Sequence, residues 1–130
     1  MGEFRLIIGS ERRATEKHVD ICNPSDASVV GAAPFCAQSD LDAAVDAATR
    51  AFPAWAALPD ADRKAACHAV ATKIEENSEE LALLLTQEQG KPLNGLGSRF
   101  ELGGAVAWAR YTADLDLPVK TLQDDNTGKI

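Results

Sequence analysis

A chain of 130 residues and 13.8 kDa is the length of one domain, long enough to bury a core. Its formal charge of -7, from 20 acidic against 13 basic residues, argues against a nucleic-acid partner, because neutralising phosphates needs clustered Lys and Arg. No apolar run approaches the ~20 residues that span a bilayer, and Leu6-Ile7-Ile8 is too short for the apolar part of a signal peptide.

From the amino terminus, Phe4 to Ile8 and Lys17 to Cys22 read as two short strands joined through the Gly9-Ser10 turn, with Arg12, Arg13 and Glu16 keeping the connection wet. Asn23-Pro24 punctuates, and Ser28 to Ala32 reads as another extended piece before Pro34. Ser39 is a suitable N-cap, with Asp42 in the capping-box position. Leu41, Ala44, Val45, Ala48 and Phe52 then share one helical face, and the helix is expected to end near Pro53. Trp55 and Leu58 are placed in a connector that fills the gap between helices, and Asp60 is expected to cap the next helix. There Cys67, Val70, Ala71 and Ile74 recur at helical spacing, which makes Cys67 a small buried hydrophobe.

Asn77 or Ser78 restarts the chain into a leucine-rich helix, with Glu79 and Glu80 in the first turn, where the dipole favours acids. Leu81, Leu84 and Leu85 lie at helical spacing, and Gly90-Lys91-Pro92 stops the helix: a glycine for the left-handed cap, a cation at the carbonyl end, and a proline that cannot continue. Asn94-Gly-Leu-Gly-Ser98 is expected to be a loop, since each glycine inside a helix costs about 1 kcal/mol relative to Ala. A fourth helix is predicted over Phe100 to Thr112, with Leu102, Ala105, Val106 and Ala109 on one stripe. From Leu115 the apolar residues alternate through Leu117, Val119 and Thr121, which predicts a strand. Asp124 to Gly128 carries a hairpin-turn signal, and Lys129-Ile130 would begin the returning strand. A single hairpin arm presents unpaired backbone groups, so the chain is expected to be the front of something longer or to be completed by another chain.

The resulting fold class is α+β: a small N-terminal antiparallel sheet, about four amphipathic helices and a C-terminal strand. The ordered series Asn23-Pro24, Ala51-Phe52-Pro53-Ala54-Trp55, Glu79-Glu80-Leu81 and Glu88-Gln89-Gly90-Lys91-Pro92 resembles the amino-terminal region of the NAD(P)-dependent aldehyde dehydrogenase superfamily. The resemblance runs from about Asp20 to the end. It implies the front of that α/β fold, with residues 1-38 as the N-terminal strands and turns, 39-114 as the helical part of the cofactor-binding domain, and 115-130 as the start of the oligomerisation hairpin. For the complete enzyme it implies an aldehyde substrate, NAD or NADP and a homo-oligomer, while the short apolar amino terminus and the odd cysteine count lead to the expectation of a cytoplasmic location. Asn94 to Ser98 departs from the more helix-favouring stretch of the family, which affects where the fourth helix begins.

The family's chemistry needs a cysteine nucleophile, a glutamate base and an oxyanion-holding asparagine on motifs that lie downstream and are absent here. Neither Cys36 in Pro-Phe-Cys-Ala-Gln nor Cys67 in Ala-Ala-Cys-His-Ala resembles the nucleophile's context, so no catalytic residue is assigned. Cys67-His68 cannot form a thiolate-imidazole pair, because adjacent helical side chains point away from each other. Cys22, Cys36 and Cys67 form no metal-like spacing, their odd number suits a reducing compartment, and His18 and His68 are too few for a convincing metal set. Gly95-Leu-Gly-Ser-Arg-Phe100 begins like a dinucleotide fingerprint but has Phe100 where the third glycine belongs and follows a helix, so no cofactor-binding residue is assigned either. Asp124-Asp125 reads as turn chemistry and not a calcium loop, and Arg12-Arg13 and Arg63-Lys64 as solvated surface. The front end of a dehydrogenase, inactive alone, is the first reading. A stand-alone helical interaction module docking through its C-terminal strand is the second.

Overall fold

The computed structural model describes residues 4-116, 118 and 120-129. Strands β1 (Leu6–Ile8) and β2 (Glu11–Arg13) form an antiparallel hairpin, Leu6 opposite Arg13, turning at Gly9 with φ +61°. The connection expected to stay wet is therefore itself paired, because a left-handed glycine lets the strand fold straight back. Strands β3 (His18–Cys22) and β4 (Val29–Pro34) form a second hairpin, with His18 opposite Pro34 and a register shift at Ile21/Cys22. Its turn is built on side chains: the Ser25 amide donates to Asn23 Oδ1 at 3.0 Å and the Ser28 amide to Asp26 Oδ1 at 2.9 Å.

Helix α1 (Gln38–Ala56) starts one residue before the expected cap. The carboxylate that closes its first turn is Asp40, whose Oδ2 accepts the Ala37 amide at 3.0 Å, while Asp42 takes the Gln38 side-chain amide at 2.8 Å. The helix also runs through Pro53 to Ala56, which places Trp55 in the helix and not in a connector. A proline this near the end forfeits one amide, and its carbonyl still accepts from Ala57 at 3.1 Å. Helix α2 (Asp60–Glu76) takes Pro59 as its N-cap, so Asp60 is its first residue, favourable there through the dipole. Asn77 ends α2 and starts α3 (Ser78–Gln89), which stops at Gly90 with φ +69° and a 2.8 Å amide bond to the Thr86 carbonyl, as the Gly-Lys-Pro signal predicts. Helix α4 (Ser98–Asp114) follows the expected loop but begins two residues before Phe100.

Past α4, Leu115, Asp116, Pro118 and Lys120 to Gln123 carry no strand, and Leu117, Val119 and Ile130 lie outside the described residues. Pro118 has no amide to donate, and no described strand lies beside this stretch. A hairpin does form, β5 (Asp124–Asp125) against β6 (Gly128–Lys129), around Asn126-Thr127. Its turn is organised by Asp125 Oδ1, which accepts the Thr127 hydroxyl at 2.6 Å and the Thr127 amide at 2.8 Å, the turn chemistry expected of this stretch.

α2 and α4 run antiparallel, and α3 packs beside α4. Their meeting point is a tight corner. The Ser98 amide donates to the Pro92 carbonyl at 2.9 Å, and the Ser98 hydroxyl, fully buried, bonds Thr86 Oγ1 at 2.8 Å. A side chain on Gly97 would stand 1.7 Å from the Pro92 carbonyl oxygen, and one on Gly90 would stand 2.7 Å from the Pro24 ring. Gly95, by contrast, has φ +67° in open space. Gly97→Ala should therefore cost at least about 3 kcal/mol through forced backbone movement, against about 1 kcal/mol for Gly95→Ala. Chemical denaturation of both variants checks this, and equal losses would contradict the close approach at Gly97.

Candidate functional site

The three cysteines are exposed and free of disulfides. Cys67 is thus not the buried filler expected. Its predicted stripe is turned: Ala71 is completely buried and Ile74 half-buried, whereas Val70 stays exposed. The side of α2 that meets α4 runs instead through Lys64, His68, Ala71 and Glu75, which carry the charges discussed below. His68 looks away from Cys67 to Asp114, with Nε2 2.8 Å from Oδ1. Among the described residues no group of three His, Cys, Asp or Glu is placed to hold a metal ion.

The glycine stretch does not form a phosphate cradle. The amides that a phosphate would need at the start of α4 are spent on the chain itself: Gly97 on Asn94 at 3.2 Å, Ser98 on Pro92 at 2.9 Å and Arg99 on Leu93 at 3.2 Å. A side chain on Gly97 would meet the Pro92 carbonyl, so the glycine here serves the chain's own close approach.

What the helices do build is an ionic seam that sequence spacing could not show. From one end to the other, Lys64 Nζ meets Asp116 Oδ1 at 3.1 Å, His68 meets Asp114, and Arg110 Nη2 meets Glu75 Oε2 at 2.6 Å. Beyond them Arg99 Nε donates to Glu79 Oε2 at 3.0 Å and also reaches Asn94 Oδ1, while Lys91 bonds Glu101. Asp116, and behind it Asp60, hold the Lys64 ammonium above its ordinary value of 10.5. Arg63, read from sequence as solvated surface, instead closes the α1-α2 corner by donating to the Leu58 carbonyl at 2.5 Å and to Asp60 at 3.1 Å.

The remaining candidate is apolar surface. Among the described residues the buried apolar ones are few and mostly small: Ile8, Ala71, Ala82, Val106 and Ala113. On α1 the predicted stripe faces outward except at Ala44: Leu41, Val45, Ala48 and Phe52 are exposed, while Asp40, Ala43, Ala44 and Ala47 form the half-buried side. Helix α4 is apolar on two opposite faces. Leu102, Val106 and Ala109 pack inward as the stripe predicts, apart from Ala105, which is exposed, and Ala113 beyond the predicted helix end joins them; Phe100, Trp108 and Tyr111, 61%, 70% and 62% exposed, line the other side. The accessible surface is 9869 Å², whereas a self-contained protein of this mass exposes about 6,600 Å², so roughly 3,000 Å² is in excess.

The aldehyde dehydrogenase family model matches residues 11-127 of this chain. A Pseudomonas protein named "Probable aldehyde dehydrogenase" is 36% identical over 115 residues, covering 88% of this chain and 23% of its own length. The NADP-dependent succinate-semialdehyde dehydrogenase of Escherichia coli is 39% identical over 96 residues, covering 74% of this chain and 20% of its own. Among solved structures, PnpE in complex with nicotinamide adenine dinucleotide superposes with a TM-score of 0.84 at 31% identity, covering 94% of this chain and 26% of that one. The chain thus spans about a quarter or less of the length of these relatives.

The Arg99 guanidinium holds the Glu79 carboxyl below its ordinary value of 4.5. A lowered carboxylate stabilises the fold above its unfolded value, and that contribution is lost as the pH falls through the folded value. Glu79→Gln should therefore flatten the loss of thermal stability below pH 4.5. Melts at stepped acid pH test it, and an unchanged acid limb would contradict the pairing.

Proposed function

Since this chain belongs to the aldehyde dehydrogenase family, we propose that it is the amino-terminal portion of an NAD(P)-dependent enzyme that oxidises an aldehyde to a carboxylic acid. The single observation that carries this reading is the family match over residues 11-127 in a chain that spans 23% of a relative 36% identical to it. Residues 1-38 are its N-terminal strands and turns, 39-114 the helical part of the cofactor-binding domain, and 115-130 the start of the hairpin that leads to the subunit interface of a homo-oligomer. The helices supply cover. Their outward apolar faces on α1 and α4 are what a larger domain would bury, and the surface excess supports that over a self-contained interaction module.

NAD or NADP is held elsewhere in the complete enzyme, since the amides of the glycine stretch are already committed. When bound, the cofactor accepts hydride from the substrate. The cysteine nucleophile, its base and the oxyanion-holding asparagine belong to the same downstream part, which leaves Cys22, Cys36 and Cys67 without a catalytic role. No described helix is long and apolar enough to cross a membrane. Three exposed thiols fit a reducing compartment, and the cytoplasm is the location that this implies.

The test is spectrophotometric. The native product that contains this chain should reduce NAD or NADP only when an aldehyde is supplied, and the 130-residue chain alone should reduce neither. Turnover by the isolated chain would remove the assignment of catalysis to a downstream part. Absence of aldehyde-dependent reduction by the native product, across aliphatic, aromatic and carboxylated aldehydes with both cofactors, would remove the enzyme reading.

A further inference from the structure

Helix α4 ends under unfavourable electrostatics. Its last turn contains no basic residue, and Asp114 adds a negative charge where the helix dipole is already negative. The compensation comes from the neighbouring helix. His68 Nε2 lies 2.8 Å from Asp114 Oδ1, and Lys64 Nζ lies 3.1 Å from Asp116 Oδ1, two residues beyond α4. Lys64 and His68 are four residues apart on α2 and so stand one above the other on one face. The antiparallel packing sets that face beside the point where the chain leaves α4. Lys64 is steadied in turn by Asp60, whose Oδ2 is 3.3 Å away, and the other basic residue nearby, Arg63, is committed to Asp60 and the Leu58 carbonyl. The same face continues to Glu75, which takes Arg110. Charge along α2 therefore changes sign, from Lys64 opposite an acid to Glu75 opposite a cation, with His68 hydrogen-bonded to Asp114 between them. Sliding α4 along α2 by one turn would put unlike partners out of reach and bring like charges closer, so the seam favours one register.

We infer that Lys64, through its ion pair with Asp116, and His68, through its hydrogen bond with Asp114, form a latch that fixes the direction in which the segment after α4 leaves the helices. The purpose of the latch rests on the proposed reading of residues 115-130 as an arm toward a subunit interface; its existence does not. Exposed ion pairs are individually weak, so the latch biases the exit of the segment without locking it.

Lys120 is exposed beyond the latch and offers trypsin a cut, whose rate follows the population of the released segment. The protein, Lys64→Met, Asp116→Asn and the double variant are compared by mass spectrometry of that cut, with circular dichroism confirming equal helix content. Each single variant should be cut about threefold faster, and the double variant no faster than the faster single one within about twofold. His68→Gln and Asp114→Asn provide a second cycle, read in the same way. Unchanged cleavage, or rates that multiply to about ninefold in the double variant, would overturn the latch. Sedimentation equilibrium of the same variants separates the two ideas: faster cleavage with weakened assembly supports the latch and its purpose together, and faster cleavage with unchanged assembly keeps the latch but removes the arm reading.

Discussion

The arrangement of the helices depends on one close approach, the backbone of Gly97 lying against the carbonyl of Pro92. That contact leaves the Ser98 amide on Pro92 and the Ser98 hydroxyl on Thr86, inside the fold where an unpaired hydroxyl would cost about 1 to 3 kcal/mol. At the other side of the same corner, Gly90 leaves room for Pro24, so the turn between β3 and β4 rests on the end of α3. Backbone surfaces stripped of side chains thus let the sheet, α3 and α4 come together.

This explains a structure whose interior is so lean. Alanines, a serine and Val106 are the buried residues of the helices, and the bulky residues Leu41, Phe52, Phe100 and Trp108 look outward. Hydrophobic burial normally dominates folding, and here much of the apolar surface remains to be covered. The faces lie on different elements, so a single small interface would not reach all of them. A larger domain laid across the helices would. Membership of a family whose relatives are some four times longer supplies a physical context for that surface.

Local signals were legible in the sequence and tertiary ones were not. Gly90-Lys91-Pro92 stops α3 as read, because a left-handed glycine followed by a proline acts within a few residues. The caps expected at Ser39 and Asp60 lie two residues and one residue earlier, since Ala37 and Pro59 take positions that side-chain chemistry alone would not assign them. The stripes on α1 and α2 are apolar as read, and most of α1's stripe and Val70 of α2's are exposed, whereas Ala71 is buried. Periodicity shows which residues share a face, and it cannot show whether this chain contains the partner for that face. Cys67 was misplaced for the same reason. The ionic seam was invisible because His68 and Asp114 are far apart in sequence and meet only through the antiparallel packing of α2 and α4. The motif order pointed to the family whose model matches residues 11-127.

The most direct test is the intact mass of the native product, captured from its source cells with an antibody raised against this chain. A mass several times 13.8 kDa is expected for a polypeptide in which these helices cover a larger enzyme. A native product of 13.8 kDa, folded and without a partner, would contradict it.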